Sequence, residues 1–282
     1  MRTTTLGELG PKLPIGFVKG KTLNKDFTLR PYKSWVDRVL NVWREANEGR
    51  SMAALAAKFL SLLVSTAGGE EYTLTAEKDS TAEQELRVYR WYWADVMYAY
   101  LFARVKTVGS IIEVPYACPN RFAVGAARCD AAGLNRADLN STEVQVVEDV
   151  AELKHWIELR DGFPLRDGKT AKELCLQPVR FTAQALPGSS VQDINAIGYN
   201  HLREAIAEIK GVGEYSMTNS EIDEISKVDA LILDRAASKV TAGADMRTHL
   251  ECPKCGCKII NALNWSLDSF FDSSVPLEAL MT

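Results

Sequence analysis

The stretch Asp245–Pro276, DMRTHLECPKCGCKIINALNWSLDSFFDSSVP, concentrates more chemical specificity than anything that precedes it. Within it, Cys252-Pro253-Lys254-Cys255-Gly256-Cys257 has the form of a metal-binding knuckle. The proline fixes the first turn, and Gly256 is free to take a positive φ, which lets backbone N–H groups turn toward sulfur. Such a knuckle supplies half of a tetrahedral site. Downstream, Lys258–Leu263 reads as a short strand, and Trp265, Leu267, Phe270 and Phe271 follow as large apolar groups close to the C-terminus. Groups of this kind are buried either in their own fold or in a partner. The tail is therefore expected to be a zinc-ribbon-like hairpin that the rest of the chain holds down.

The other half of a metal site is sought upstream. Cys118 precedes Pro119 as Cys252 precedes Pro253, and Cys129 follows eleven residues after Cys118. The favoured set joins Cys118 and Cys129 to Cys252 and Cys255 in a four-thiolate zinc site, a staple between the central chain and the tail. Zinc fits because it is redox-inert and takes thiolates readily. Cys257 and His249 stand as equally available ligands, and free thiols that merely pack are the competing reading. A redox dithiol is disfavoured, since no helix N-terminus follows the motif to lower a thiol pKa. Cys175, among Leu174, Leu176 and Val179, reads as a small buried hydrophobe.

Earlier in the chain, Leu13–Phe17 and Phe27–Arg30 alternate as a hairpin, with Pro31 ending the second strand. Trp35, Val39, Leu40, Val42 and Trp43 recur at helical spacing in a helix that opens at Ser34, supports the hairpin and stops at Gly49. Ser51 to about Ala67 is apolar nearly all round and predicts a central helix ending at Gly68-Gly69. A third helix is predicted from Thr81 to Val108. Strands are expected over Ser110–Tyr116, Ser141–Val150, His155–Leu159 and Leu174–Phe181, with a loop-like stretch around Arg121–Asn140. A helix is expected from about Val191 to Ile209, and another from the capping box Thr218-x-x-Glu221 to about Val240. No internal repeat stands out. The result is an α+β protein: an N-terminal β-hairpin (1–33), a helical domain (34–109), a small central β unit with the Cys turn (110–182), a second helical segment (183–244) and the knuckle with its aromatic tail (245–282).

The third helix carries Tyr89, Trp91, Tyr92, Trp93, Tyr98, Tyr100 and Phe102. Such rings have an apolar body and a polar handle, so they suit either a two-sided core or a partner surface. Trp91 and Trp93, with Trp265, Phe270 and Phe271, are the partner-binding candidates. A hydrophobic content of 46% supports a folded core, and a net charge of −4 disfavours a broad nucleic-acid footprint. The N-terminus lacks a signal-peptide core and no stretch is apolar for long enough to span a membrane, which places the protein in the cytosol with reduced thiols. His155, His201 and His249 are isolated, and no nucleophile elbow, Walker loop or dinucleotide fingerprint occurs in a fitting context.

Several of these segments form a recognisable series: Leu13-Pro-Ile-Gly16, Tyr116-x-Cys118-Pro119, Asp138-Leu-Asn-Ser-x-Glu-Val144, Glu158-Leu-x-Asp-Gly162, Gly168-Lys169 and Pro178-Val-Arg180. The series ends with Asp245-Met-Arg247, Cys252-Pro-x-Cys255-Gly256 and Asn264-Trp-Ser-x-Asp268-Ser-Phe-Phe271. Together they resemble the baseplate-protein family of contractile-tailed bacteriophages, whose members are baseplate hub subunits or assembly chaperones. Relatives often carry a tighter Cys-x-x-Cys at the first turn, whereas here Cys129 is displaced. The resemblance implies a non-enzymatic structural or assembly protein that binds other hub and tail proteins, in the host cytoplasm during assembly or in the virion baseplate, where it could act as an oligomer. The alternative is a zinc-ribbon module bound to nucleic acid, for which only Arg247, Lys254 and Lys258 lie near the knuckle. A thiol enzyme is a third class.

Overall fold

Lys12–Lys19 (β2) turns through Gly20 into Thr22–Leu29 (β3), as the alternating pattern requires. This computed structural model describes residues 1–47, 52–122, 125, 128–181, 202–240 and 242–262. The fold is α+β, with antiparallel sheets. The chain leaves β3 through helices α2 (Ser34–Ala46) and α3 (Met52–Leu63), then returns as β4 (Val64–Ala67) and β5 (Glu70–Glu71) to complete a sheet ordered β2-β3-β4-β5. Helix α3 is buried along Ala53–Leu63, as its apolar composition predicts. It ends sooner than its apolar run does, because β-branched Val64 and Thr66 are better strand than helix formers. Leu29 faces Val64 and Phe27 faces Ala67 across β3 and β4, and the Thr28 hydroxyl meets those of Ser65 and Thr66.

The single long helix expected from Thr81 to Val108 is two helices, α4 (Ala82–Tyr89) and α5 (Trp93–Val108). Thr81 and Gln84 cap α4 reciprocally. The break between them is held from far along the chain. Phe181 N–H donates to the Trp91 carbonyl at 2.8 Å, and Trp93 N–H donates to the Val179 carbonyl at 2.9 Å. Backbone groups that an unbroken helix would satisfy internally are thus paired with a distant segment. Residues 94–104 of α5 are all buried, and it is α5 that packs on β2. The Asp95 carboxylate, in the first turn of α5, accepts from the N–H groups of Ile15 at 2.8 Å and Gly16 at 2.9 Å.

Beyond α5, β6 (Ile111–Ala117) pairs in unbroken register with β7 (Ala132–Asp138), so the second half of the loop-like stretch is a strand. The strand expected over Ser141–Val150 is shorter, β8 (Glu143–Val146), and lies between β1 (Arg2–Thr5) and β13 (Gly243–Ala244). A helical turn, α1 (Leu6–Leu9), links β1 to β2.

A second four-stranded antiparallel sheet follows, ordered β9 (His155–Pro164), β10 (Thr170–Leu176), β11 (Ile206–Ile209) and β12 (Gly213–Glu214). Ile206–Ile209 is therefore strand rather than the end of a helix, since Leu174 and Leu176 of β10 take it as a partner. The body of the helix expected from Val191 lies outside the described residues. The capping box at Thr218 is present, but it opens a short α6 (Asn219–Asp223), and the stripe continues in a separate α7 (Lys227–Val240) packed on β9. Finally β14 (Arg247–Glu251) pairs with β15 (Lys258–Ala262).

One apolar cluster joins Leu13 and Phe27 of the hairpin, α3, α5, Val144, Phe181, Leu250 and Ile259. It also contains Cys118, Cys129 and Cys252. A second cluster joins Leu159, Phe163, Leu174, Ile206, Met217 and Leu233. The sequence boundaries at 33 and 109 thus separate segments that share the first cluster.

Candidate metal centre

Two β-hairpins build the site. Cys118 follows the last residue of β6 and Cys129 precedes β7; Cys252 follows β14 and Cys255 lies in the turn before β15. The first loop is drawn in by Cys118 N–H donating to the Ala131 carbonyl at 2.8 Å and Cys129 N–H donating to Asn120 at 3.2 Å. This closes the eleven-residue interval that spacing alone left loose. In the second loop, Cys252 N–H donates to the Cys257 carbonyl at 2.9 Å and Gly256 N–H to the Cys252 carbonyl at 2.8 Å. Gly256 takes φ 69°, the left-handed conformation expected of it.

The four sulfurs face one another. Cys118 Sγ lies 3.5 Å from Cys255 Sγ, Cys129 Sγ lies 3.8 Å from Cys252 Sγ, and all four fall within 4.8 Å of each other. A tetrahedron with zinc–sulfur bonds of about 2.3 Å has sulfur–sulfur edges of roughly 3.8 Å, so the cluster has the size a zinc ion requires. Cys118, Cys129 and Cys252 are buried and Cys255 is exposed. The Asn120 amide points at Cys255 Sγ from 3.8 Å. The two other ligands that the spacing allowed stand apart: Cys257 Sγ turns to the Lys258 carbonyl, and exposed His249 contacts Asp245 at 3.2 Å. Cys175 is a buried residue of β10, as its neighbours predict.

The electrostatics of the four thiols are uneven. Burial and the adjacent thiols push Cys118 up to about 12. At Cys129 the Ala131 backbone favours the thiolate, but burial and the neighbouring thiols outweigh it and raise the pKa. Burial also opposes the Cys252 thiolate, yet the backbone N–H groups of Lys254 and Cys255, with the adjoining thiols, bring it down to about 7. One thiolate is thus stabilised by the knuckle while its neighbours resist ionisation beside it. A divalent ion at the centre would supply the charge that lets all four be thiolates. Four thiolates close a tetrahedral site and leave no position for substrate, which suits a structural ion.

The aromatic candidates divide. Trp91 is 1% exposed; its Nε1 donates to the Tyr72 hydroxyl at 3.0 Å, and its ring meets Phe17 and Tyr72 edge-on. It is a core residue and presents no surface to a partner. Trp93 is half-buried and stacks on Phe181, whose other face stacks on Tyr89. The belt is thus spent in part inside the chain, receiving Phe181, a contact with no local signal in the sequence. Arg180 completes that junction, its guanidinium 3.9 Å from the Tyr92 ring centroid and bonded to the Arg90 carbonyl at 2.8 Å. Trp265, Phe270 and Phe271 lie outside the described residues. Among the described residues, no helix is long and apolar enough to cross a membrane.

Comparison with protein-family models, curated proteins and solved structures finds no match to this chain.

Proposed function

We propose that this is a non-enzymatic structural or assembly protein of a contractile phage tail, a baseplate hub component or hub chaperone, with a structural zinc ion as its staple. The observation that carries the structural role is the closed set of Cys118, Cys129, Cys252 and Cys255, at zinc-sized separations between two hairpins. Such a site fixes geometry and holds no open position for chemistry. The motif series that resembles baseplate proteins supplies the biological setting. Partners would be other hub and tail proteins, met in the host cytoplasm during assembly or in the baseplate. The candidate contacts are the half-buried Trp93 and the terminal Trp265, Phe270 and Phe271. Burial of Trp91 removes it from that set.

The test joins three measurements: metal content of the isolated chain, pull-down against hub and tail proteins, and quantitative proteomics of purified virions beside lysate. Zinc at one ion per chain with capture of a tail component is the expected result. A chain that carries no zinc and captures no tail protein overturns the proposal. A nucleic-acid-binding ribbon is favoured by one feature, the exposed Phe122 with the Arg121 guanidinium 4.5 Å from its ring at the first loop. Salt-sensitive DNA binding abolished by Arg121→Ala would decide for that reading.

A further inference from the structure

We infer that this protein is an internal duplication, and that the four-thiolate centre is the clasp between its two copies, a site that neither copy completes alone. The inference deepens the zinc reading above and rests on it.

The repeat is carried by matching residues in matching elements. One constant interval separates Asp95 from Asp229, Ala103 from Ala237, Gly109 from Gly243, Cys118 from Cys252 and Pro119 from Pro253. Further upstream, Gly16-Phe17 answers to Gly162-Phe163, Gly20-Lys21-Thr22 to Gly168-Lys169-Thr170, Leu29-x-Pro31 to Leu176-x-Pro178, and Glu71-Tyr72 to Glu214-Tyr215. Loops of different length lie between these blocks, which is why no fixed period shows along the chain.

The structure gives the two series the same architecture. Sheet β2-β3-β4-β5 has the strand order of β9-β10-β11-β12: in both, each strand pairs antiparallel with the next strand of the series, a long connection separates the second strand from the third, and the last turn is tight. Each is followed by a short helix with a threonine capping box, Thr81 with Gln84 and Thr218 with Glu221. Each short helix leads to a longer one, α5 or α7, packed on the first strand of its sheet. The most specific shared device is a buried aspartate in the first turn of that longer helix. Asp95 accepts from Ile15 and Gly16, and Asp229 accepts from Arg160 at 2.7 Å, Asp161 at 3.0 Å and Gly162 at 2.9 Å. Gly16 and Gly162 both have left-handed φ, 81° and 97°. Each copy then has a hairpin that gives two thiols to the cluster, β6–β7 with Cys118 and Cys129 and β14–β15 with Cys252 and Cys255.

Contacts across the joint survive exchange of the copies. Swapping equivalent residues turns the Cys118–Cys255 pair into the Cys252–Cys129 pair, at 3.5 Å and 3.8 Å. It turns the approach of β6 to β15 into that of β14 to β7, and both approaches are made. An isologous joint between like units has this property. The close sulfur pairs both cross from one copy to the other, so the ion is gripped by both hairpins or by neither. Metal retention therefore reports the relative placement of the copies, and a partner that holds them in register strengthens it by linkage.

The experiment uses the full-length zinc-loaded protein. Zinc content and hydrogen exchange are measured for wild type, for wild type during stepwise chelation, and for Cys118→Ser, Cys129→Ser, Cys252→Ser, Cys255→Ser and Cys257→Ser. Expected is one zinc per chain, retained in Cys257→Ser and weakened about 10-fold or more in each of the other four. Exchange in both hairpins, residues 111–138 and 247–262, is expected to accelerate together whichever hairpin carries the substitution. If wild type binds zinc but protection is lost only in the substituted hairpin, or if the hairpins open at different chelator concentrations, the clasp is overturned while the staple stands. If wild type binds no zinc, the metal reading and the clasp fall together. Chelation of wild type gives the same readout where a serine variant does not fold.

Discussion

Phe181 lies stacked on Trp93, ring centroids 5.4 Å apart, in the gap where the helix expected from Thr81 to Val108 is broken. The contact turns part of the aromatic belt inward, and Phe181 itself is fully buried.

Phe181→Ala should therefore cost about 3–5 kcal/mol, the range for emptying a buried aromatic site. Trp93→Ala should cost less, since Trp93 is only half-buried. Urea denaturation followed by circular dichroism checks both. Equal and negligible losses would show that the Tyr89–Phe181–Trp93 stack does not hold the break.

Removal of metal should lower the melting temperature and loosen the tail hairpin. Cys252→Ser is expected to lower zinc content and the thermal midpoint together, because ligand binding to the native state adds directly to stability. Cys175→Ser should leave zinc content unchanged, since Cys175 lies in β10 and outside the cluster. Elemental analysis and a thermal scan with and without chelator measure both quantities.

Burial raises the Asp95 carboxyl from 3.8 to about 7, against the pull of the Ile15 and Gly16 N–H groups. The native state then keeps a proton that the unfolded chain releases near its ordinary value. Native molecules bind more protons across that window, so stability should decline as pH rises from about 4 to about 7. Asp95→Asn removes this titration and should flatten the dependence. Urea midpoints of both proteins across the pH range test it; parallel curves would assign the titration elsewhere.

Lys58 is buried in α3 and donates to Asp79 at 2.6 Å, Glu85 at 2.9 Å and the Ser80 hydroxyl at 3.0 Å. Lys58→Met leaves two carboxylates without their cation and should destabilise the fold, by less than the ~3–5 kcal/mol of a fully buried pair because Asp79 is partly exposed. Adding Asp79→Asn and Glu85→Gln to Lys58→Met should recover part of that loss, which denaturant titration of the single and triple variants measures.

Local chemistry made some features legible from the residues alone. The Cys-Pro turns and Gly256 announced a thiolate knuckle, Thr218-x-x-Glu221 announced a helix start, and the alternation from Lys12 to Leu29 announced a hairpin. Each depends on neighbours a few residues away, whose preferences the sequence carries directly.

Other features depended on segments distant in the chain. The sequence by itself determined the α+β character, the knuckle and the four candidate thiols. Only the tertiary structure decided that Cys129 reaches Cys252 while Cys257 and His249 stand aside, that Val64 leaves its helix to pair with Leu29, and that Trp91 is core. The physical reason is that backbone groups and apolar surfaces take whichever partner the folded chain brings near. A break such as Arg90–Tyr92 is stable only once Val179 and Phe181 have arrived to satisfy it.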